Sequence, residues 1–300
     1  MVELLLKRYL WLIDTLKRNG ELTFEEISDR WDSSSANDNG STLTKRTFYN
    51  HCQAIARHFG VDIECRRGRG LNLYRIVNQE VIEENSLTKW ALDSFSLGEL
   101  LLGNADIADK ILLEDIPSGR EWLETILTAL QQNRVITLEY ENFVGRKYHG
   151  CAQPLCIKLF KRRWYLLAIV QNGNKRIFSL DRIKSLVVTD QKFSYPKDFS
   201  PEGYFHDFFG IIAGVDRKAE NIVLRTYAEL PAYLRSLPMH HSQKELTTEN
   251  SHTDFSLYLI PTFDFIQELL LHSDQLEVLQ PQSLRNEISE LISKMKSNYE

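Results

Sequence analysis

The segment Lys161–Ile169 has the sequence KRRWYLLAI, which places three cationic residues directly before a Trp-Tyr pair and an apolar run. Its last part, Leu166–Ile169, has the composition of a buried core strand. Further short strands flank it, and Asn172-Gly173 supplies a hairpin turn to the strand that follows. Because an amphipathic helix, Glu121–Asn133, precedes these strands, residues 120–195 are predicted to form a small β-barrel or a strongly curved sheet.

Strand alternation identifies a candidate anion-binding face in this predicted barrel. In RIFSLDRI, alternation puts Arg176, Phe178 and Arg182 on one face. Guanidinium groups match phosphate geometry and aromatic rings stack on bases, so this face suits a nucleotide. Tyr140 on an earlier strand can add a hydroxyl group. The alternative stays open: the arginines pair with Asp181 or with the acidic C-terminal region, and the aromatic residues fill the barrel.

The first 80 residues predict a winged helix-turn-helix domain. Apolar residues at helical spacing predict a first helix that ends at Asn19-Gly20, and Thr23 with Glu26 has capping-box spacing before a second helix. A third helix is predicted from Thr44 to Gly60. The alternating segments VDIECRR and LNLYRIV, joined by GRG, then predict a two-stranded hairpin that corresponds to the wing.

DNA contacts are predicted on the first turn of the third helix and at the hairpin tip. A helix fits the major groove, where Lys and Arg favour guanine edges and Asn favours adenine edges, while cations on a wing reach phosphate groups. Residues 44–75 carry a net charge of +5, which suits an anionic partner. A solvated basic face on a small helical domain is the alternative. The candidate DNA-binding residues are Lys45, Arg46, Thr47, Tyr49, Asn50, His51, Arg66, Arg67 and Arg69.

The rest of the chain predicts a helical connector and a second α+β domain. Residues 81–119 have helical periodicity that EDIPSG interrupts. After a linker rich in Pro, Gly and aromatic residues, residues 205–300 alternate between predicted strands and helices, as in an antiparallel sheet with helices on one face. We therefore expect a multidomain α+β protein whose last domain is ferredoxin-like.

Composition and charge narrow the classes of protein. The 300 residues include 43% hydrophobic and 26% charged residues, as in globular proteins with hydrophobic cores. The formal net charge of −5 hides a +7 segment at residues 158–184 and a −6 segment at residues 205–300, so a second anion-facing surface is expected.

Four cysteines without CxxC spacing argue against disulfide bonds and structural zinc. No apolar stretch has the length of a membrane span, and a cytoplasmic protein is expected.

The residues RRWYLLAI, followed by RIFSLDRI, resemble the signature of the WYL domain, whose name corresponds here to Trp164-Tyr165-Leu166. Glu139-Tyr140 and QPLCIKLF fit the same signature. The resemblance extends over almost the whole chain, since SFSLGELL, EDIPSG, FFGIIAG, LPMHHSQ and PTFDF resemble the Bacteroidetes type of WYL regulators. One difference is that YHGCAQP has His149 and Gly150 where many members have an arginine.

The resemblance implies a bacterial transcription regulator that is a homodimer and whose WYL domain is an Sm-like, SH3-type barrel that senses a ligand. Nucleotides and single-stranded nucleic acid are the leading candidate ligands, and members often control phage-defence or DNA-damage genes. The expected partners are double-stranded DNA, such an effector and a second copy of the chain, with no membrane and no cofactor. Carried onto this chain, the resemblance implies a ligand set of Tyr140, Trp164, Tyr165, Arg176 and Arg182.

A nucleic-acid or nucleotide-processing enzyme is the main alternative class. The sequence has no HExxH, GxSxG or Walker-type motif. The adjacent His240 and His241 are expected to point to opposite sides of a strand, which argues against a metal site. We therefore predict no catalytic residues and no metal ligands. A further alternative is a non-DNA-binding interaction module of a phage-defence system, and the Arg-rich hairpin argues against it.

Overall fold

The protein is described by a computed structural model that divides into two compact units, residues 1–114 and 115–300. Each unit contains helices and sheet, so the expectation of a multidomain protein of mixed α+β type is confirmed. No helix in the described part of the chain is long and apolar enough to cross a lipid bilayer. The structure describes residues 2–300 apart from 35, 38–39, 69, 85, 103–109, 111, 113–118, 213–215 and 250.

Three helices open the first unit. Their bounds are α1 Val2–Asn19, α2 Phe24–Asp32 and α3 Lys45–Phe59. The predicted capping box is present, because Thr23 Oγ1 accepts a hydrogen bond from the Glu26 backbone N–H while the Glu26 carboxylate accepts one from the Thr23 N–H. Thr44 caps α3, and Gly60 ends it in the left-handed conformation with a φ of 66°. The predicted helix ends are thereby confirmed.

A small sheet accompanies these helices and confirms the predicted hairpin. Its described strands are β1 Leu22–Thr23, β2 Ile63–Gly68 and β3 Leu71–Ile76, in the order β1-β3-β2. Two further helices are α4 Gln79–Glu84 and α5 Ser86–Leu102. Ile82 and Leu92 from these helices are buried in one hydrophobic core with Phe48 of α3. The part of the predicted connector that lies in α4 and α5, up to Leu102, therefore packs with the N-terminal helices. Most of EDIPSG lies outside the described residues.

A helix and a five-stranded sheet form the first part of the second unit. The described elements are α6 Leu123–Gln132, β4 Arg134–Glu141, β5 Lys147–Phe160, β6 Arg163–Val170, β7 Lys175–Ser179 and β8 Ile183–Lys192. The described strands pair antiparallel in the order β7-β6-β5-β4-β8. A 3-10 turn at Leu180–Arg182 joins the two edge strands. Ile126 of α6 is buried in one core with Leu138, Leu166 and Phe178, so helix and sheet close over a shared apolar centre.

The cationic run at residues 161–163 lies at the hairpin between β5 and β6. Lys161 and Arg162 both have positive φ values, 44° and 65°, as a two-residue hairpin loop of type I′ requires. Arg163 begins β6. The turn therefore determines where the three cations lie, and the Trp-Tyr pair with its apolar run forms the strand itself.

A second sheet forms the C-terminal part of the same unit. The described elements are α7 Pro201–Phe205, β9 Glu220–Thr226, α8 Leu230–Ser236, β10 Lys244–Thr248, β11 Thr253–Leu259, α9 Phe263–Leu271, β12 Leu276–Gln280 and α10 Gln282–Ser297. The described strands pair antiparallel in the order β10-β11-β9-β12. Ile222, Leu224 and Leu257 project from one face of this sheet and pack in a core with Phe265 and Leu269 of α9. This core is separate from that of the five-stranded sheet.

Candidate functional site

The outward face of α3 carries polar and cationic side chains. Arg46 and Asn50 are one helical turn apart, and both are exposed. Lys45 is also exposed, with its Nζ 3.4 Å from the Glu25 carboxylate and 5.3 Å from the centroid of the Phe24 ring. A surface ion pair of this kind contributes little stability, so Lys45 can exchange it for a phosphate group at low cost.

Thr47 and Tyr49 hold α3 in place. The Thr47 hydroxyl lies 2.9 Å from the Thr44 hydroxyl at the helix cap. Tyr49 is 50% exposed, and its hydroxyl lies 2.8 Å from the Tyr74 hydroxyl on β3. This hydrogen bond ties α3 to the hairpin, so the two elements present their polar residues as one surface.

His51 lies in the core rather than on the outward face where the sequence predicted it. It is 5% exposed, and its ring makes an edge contact with Tyr9 of α1, with centroids 5.2 Å apart. Burial, with a smaller contribution from nearby Arg8, lowers the pKa of His51 to about 4. A buried, neutral imidazole packs α3 against α1 and has no route to a base edge.

The outward face of α3 continues beyond the first turn. Gln53 and Arg57 follow Arg46 and Asn50 at helical spacing, and both are exposed. The prediction ended at the first turn, although the same spacing carried on from Asn50 identifies both residues. Arg57 also lies in the last turn of α3, where a cation interacts favourably with the helix dipole. A cation is therefore present at each end of this face.

The hairpin presents Arg67 on the side of the sheet that faces α3. Cys65 pairs with Tyr74 in the register of β2 and β3. Arg67 is two residues further along β2 and therefore shares their face. Since the Tyr74 hydroxyl bonds to Tyr49 of α3, Arg67 extends the polar surface of α3.

The other candidate arginines of the hairpin are placed differently. Arg66 points to the opposite face, where its guanidinium lies 3.8 Å from the Glu21 carboxylate. Arg75 on β3 approaches the same carboxylate at 3.5 Å. Glu21 thus balances part of the positive charge on that face. Arg69 lies outside the described residues.

A row of aromatic rings runs across β4, β5 and β7 in the second unit. Phe178 lies between Tyr140 and Tyr148, with its ring centroid 5.2 Å from each of theirs. The guanidinium carbon of Arg176 is 5.0 Å from the Tyr148 centroid and 5.5 Å from that of Phe178. Arg176 and Phe178 therefore share a face, as predicted. Cation–π stacking uses the flat face of a guanidinium, and its N–H edge is the part that binds phosphate or carboxylate.

Arg182 reaches the other end of this aromatic row from a different element. Its guanidinium carbon lies 4.2 Å from the Phe143 centroid and 5.8 Å from that of Tyr140. The prediction that Arg176 and Arg182 share a strand face is wrong, because β7 ends before the 3-10 turn that carries Arg182. The aromatic row, and not a strand, connects the two arginines.

Arg182 keeps hydrogen-bonding capacity in a partly buried place. Its side chain is 19% exposed, and its buried Nε has no hydrogen-bond partner within the described residues. The Asp181 carboxylate lies 4.0 Å from this nitrogen. Arg163 already engages that carboxylate at 2.7 Å, and the Ser179 hydroxyl donates to it. Since Arg163 balances Asp181, the charge of Arg182 is available to an anion.

Trp164 and Tyr165 point to opposite sides of β6. Trp164 packs against the core of the five-stranded sheet. Tyr165 is 8% exposed and pairs with Ser179, on the side opposite to Arg176. Burial raises the pKa of Tyr165, and nearby Arg182 partly opposes this effect. The implied ligand set is therefore divided, since Tyr165 lies on the face of the sheet opposite to Arg176.

A cleft elsewhere on the sheet does not include the implied ligand set. It has a volume of about 350 Å³, and its described lining contains Val135, Cys151, Gln153, Gln171 and Gln191. None of the lining side chains that the structure describes carries a charge. An anionic ligand therefore finds a better match at the arginine–aromatic row than in this cleft.

Gly119 fixes the position of the turn that carries Arg182. It has a φ of 64°, and a Cβ at this position would overlap the backbone of Leu180. Gly119→Ala is expected to displace the turn and to lower the melting temperature more than Gly173→Ala does. Gly173 has a φ of 80° with no described atom within 4 Å of the added Cβ, so that variant bears only the conformational cost of about 1–2 kcal/mol. Equal losses in the two variants, measured by thermal unfolding, would contradict the tight contact.

Two lysines of the basic segment 158–184 are engaged by the C-terminal part of the unit. Lys161 Nζ lies 2.7 Å from a carboxylate oxygen of Glu268 on α9. Lys158 Nζ donates to the Gly210 carbonyl at 2.7 Å and lies 4.1 Å from the centroid of the Phe205 ring. The positive charge that the sequence assigns to this segment is therefore only partly available to a ligand.

Lys158 provides a test of this packing through pH. Burial lowers its pKa, and Asp264 partly opposes this shift. Because the pKa of Lys158 is lower in the folded than in the unfolded chain, the unfolded chain binds the proton more tightly. The free energy of unfolding therefore increases as the pH rises from the pKa of the folded chain toward the pKa of the unfolded chain. The melting temperature of the wild type relative to Lys158→Met should therefore rise through that alkaline range. Exposed Lys184→Met is the matched control, and parallel profiles for the wild type and Lys158→Met would contradict the burial.

Comparisons with known proteins were consistent with the sequence resemblance over part of the chain. Residues 121–188 match the family described as WYL domain. Among solved structures, proteasome accessory factor B/C (PafBC) of Arthrobacter aurescens is similar at a TM-score of 0.37 and 18% identity, over 94% of this chain and 45% of that chain. A CRISPR Cas-related protein is similar at a TM-score of 0.41 and 13% identity, over 88% of this chain and 76% of that one. This chain thus spans less than half of the PafBC chain, and no curated protein matches it.

Proposed function

We propose that the protein is a transcription regulator that binds duplex DNA through α3 and the β2–β3 hairpin. The observation that carries this proposal is the continuous outward face of Arg46, Asn50, Gln53 and Arg57, with Arg67 of the hairpin on the same side. A helix with this face fits the major groove, and a basic hairpin beside it reaches the phosphate backbone. Lys45 adds a further phosphate contact, while His51 is not included.

Each region of the chain then forms a domain or connector of its own. Residues 1–80 form a winged helix-turn-helix and residues 81–119 a helical connector. Residues 120–195 form a small Sm- or SH3-like barrel, and residues 205–300 form a ferredoxin-like domain. The strand order β10-β11-β9-β12 and the alternation of strands and helices support the last assignment. We further propose a cytoplasmic homodimer of the Bacteroidetes type that acts on phage-defence or DNA-damage genes, on the basis of the sequence resemblance.

We propose that the barrel senses a nucleotide or a short single-stranded nucleic acid. Two arginines stacked at the ends of one aromatic row support this idea, because phosphates bind guanidinium edges and bases stack on exposed rings. Phe143 is 77% exposed and is the ring most accessible to a base. The proposed sensing surface then consists of Phe143, Arg176 and Arg182, with the buried Tyr140 ring (6% exposed) behind Arg182.

Binding to duplex DNA is the direct test. Purified protein should bind fragments from the region upstream of its own gene more tightly than random duplex. Its affinity should also fall steeply as the salt concentration is raised, since each neutralised phosphate makes the slope of log K against log salt more negative by roughly 0.9. Fluorescence anisotropy at several salt concentrations measures both quantities. Equal affinity for both duplexes at low salt would contradict sequence-specific regulation.

We infer no catalytic activity for this chain, and a nucleotide panel tests this inference. The sites described above contain stacked cations rather than a nucleophile beside a base. Incubation with ribonucleotides, cyclic nucleotides and single-stranded DNA should therefore leave each compound intact by chromatography. Turnover that copurifies with the protein and persists after a second purification step would support the enzyme alternative.

A further inference from the structure

Three histidines of the C-terminal part meet around one point that the proposed function does not use. His206 follows α7, and His240 and His241 lie in the turn before β10. The Nε2 atoms of His206 and His241 are 3.1 Å apart, and their ring centroids are 4.3 Å apart. Both side chains are exposed. The expectation that the His240-His241 pair has opposed side chains on a strand is wrong, because these residues form a turn and their ring centroids are 4.0 Å apart.

Each partner of this pair is oriented by a separate contact. His206 Nδ1 lies 2.7 Å from the Asp207 carboxylate, so the carboxylate favours the tautomer with a proton on Nδ1 and a lone pair on Nε2. His240 is buried, with Nδ1 2.7 Å from the Ser242 hydroxyl and Nε2 2.9 Å from the His206 carbonyl oxygen. His240 therefore serves as a positioning residue that holds the His206 backbone beside the His241 ring.

We propose that His206 and His241 form a binding site for a divalent transition-metal ion of the Zn²⁺, Ni²⁺ or Cu²⁺ type. Metal–nitrogen bonds of about 2.0–2.1 Å put two imidazole nitrogens about 2.9 Å apart at a right angle and about 3.3 Å apart at a tetrahedral angle. The observed separation of 3.1 Å lies between these values. Asp207 then provides the carboxylate–histidine–metal arrangement common to metal sites.

The site supplies two protein ligands and leaves the remaining positions to water. No group of three or more His, Cys, Asp or Glu side chains suited to a metal occurs in the described part of the chain, so the affinity will be that of a two-imidazole site. Imidazole ligands select Cu²⁺, Ni²⁺ and Zn²⁺ over Mg²⁺ and Ca²⁺, which prefer oxygen. Binding requires each imidazole to offer the lone pair of its Nε2 atom to the ion.

A bound ion would connect the segment around α7 to the turn before β10. The same segment contacts the five-stranded sheet through Lys158, whose ammonium group lies over the Phe205 ring and donates a hydrogen bond to the Gly210 carbonyl. The metal would thus brace the segment that joins the two sheets of this unit. This proposal does not depend on DNA binding or on effector sensing.

Calorimetric titration of the untagged, chelator-treated full-length chain with Zn²⁺ and Ni²⁺ tests the proposal. We expect one saturable equivalent in the wild type, no binding of Mg²⁺, and a loss of at least tenfold in affinity for His206→Ala and for His241→Ala. Asp207→Asn should lose about 10–100-fold, as removal of an orienting carboxylate does in other metal sites. The matched control is His149→Ala, which removes an exposed imidazole that also lies beside a carboxylate, 3.1 Å from Glu139. This variant should bind the metal like the wild type.

A spectroscopic readout identifies the ligand atoms directly, in addition to the affinities. Cu²⁺ bound to the wild type should show electron paramagnetic resonance couplings to two imidazole nitrogens, and His241→Ala should reduce them to one. Unchanged Zn²⁺ affinity in the His206→Ala/His241→Ala double variant would overturn the proposal. So would the absence of saturable binding by the wild type up to millimolar metal.

Discussion

Replacement of Arg46 by Ala is expected to weaken binding of a specific duplex by about tenfold to a hundredfold, since one bidentate arginine–guanine contact contributes about 1–3 kcal/mol of discrimination. Arg46 is exposed on the first turn of α3, and first-turn side chains are the ones that reach base edges in helix-turn-helix proteins. Anisotropy titrations with the cognate and a random duplex at fixed salt measure the effect. The loss should be larger for the cognate duplex, because a base contact carries sequence information and a phosphate contact does not.

Two further variants separate the roles along this helix. Arg57→Ala removes a cation at the other end of α3 and should weaken both duplexes about equally, with a salt slope lower by roughly one unit. Lys294→Ala on α10 makes the same change in net charge in the second unit and should bind like the wild type. If Arg46→Ala and Lys294→Ala have the same affinity for the cognate duplex, then α3 does not enter the groove.

Local signals account for what was predictable in the first unit. The capping box at Thr23 and Glu26, and the left-handed end at Gly60, involve residues a few positions apart, and both are present as expected. The burial of His51 was predictable on the same grounds, because it lies three residues after Phe48 and four before Ile55, both fully buried. The expectation of an exposed His51 followed residue type instead of helical position.

The ligand site was less predictable because distant residues determine it. Alternation in RIFSLDRI assumes one continuous strand, but the chain leaves the strand after Ser179. The turn is fixed by the close approach of Gly119 to Leu180 and by the Arg163–Asp181 ion pair, neither of which has a signal in that segment. Phe143 was missed as well, although an aromatic residue in the short polar loop between two strands is an available signal of an exposed contact.

Arg182→Ala is expected to abolish the response of the protein to its effector while duplex affinity without effector stays close to that of the wild type. Arg182 lies in the second unit and stacks on Phe143 and Tyr140, so its removal would take away the proposed anion contact and would leave the residues of α3 unchanged. Duplex binding is measured with and without short single-stranded DNA and a panel of cyclic nucleotides. An effector can shift DNA affinity only by the difference in its affinity for the two states of the protein. Loss of the proposed contact between Arg182 and a phosphate group would remove most of that difference.

Two controls distinguish a sensing role of Arg182 from a structural one. Arg182→Lys keeps the charge but loses the planar fork that stacks and binds phosphate bidentately, so its response should be intermediate. Lys184→Ala removes an exposed cation two residues away and should respond like the wild type. If Arg182→Ala lowers basal duplex affinity and the effector response by the same factor, the residue supports the fold of the domain and does not sense the ligand. If it responds fully, the anion binds elsewhere, and Arg176 at the other end of the aromatic row is the next residue to replace.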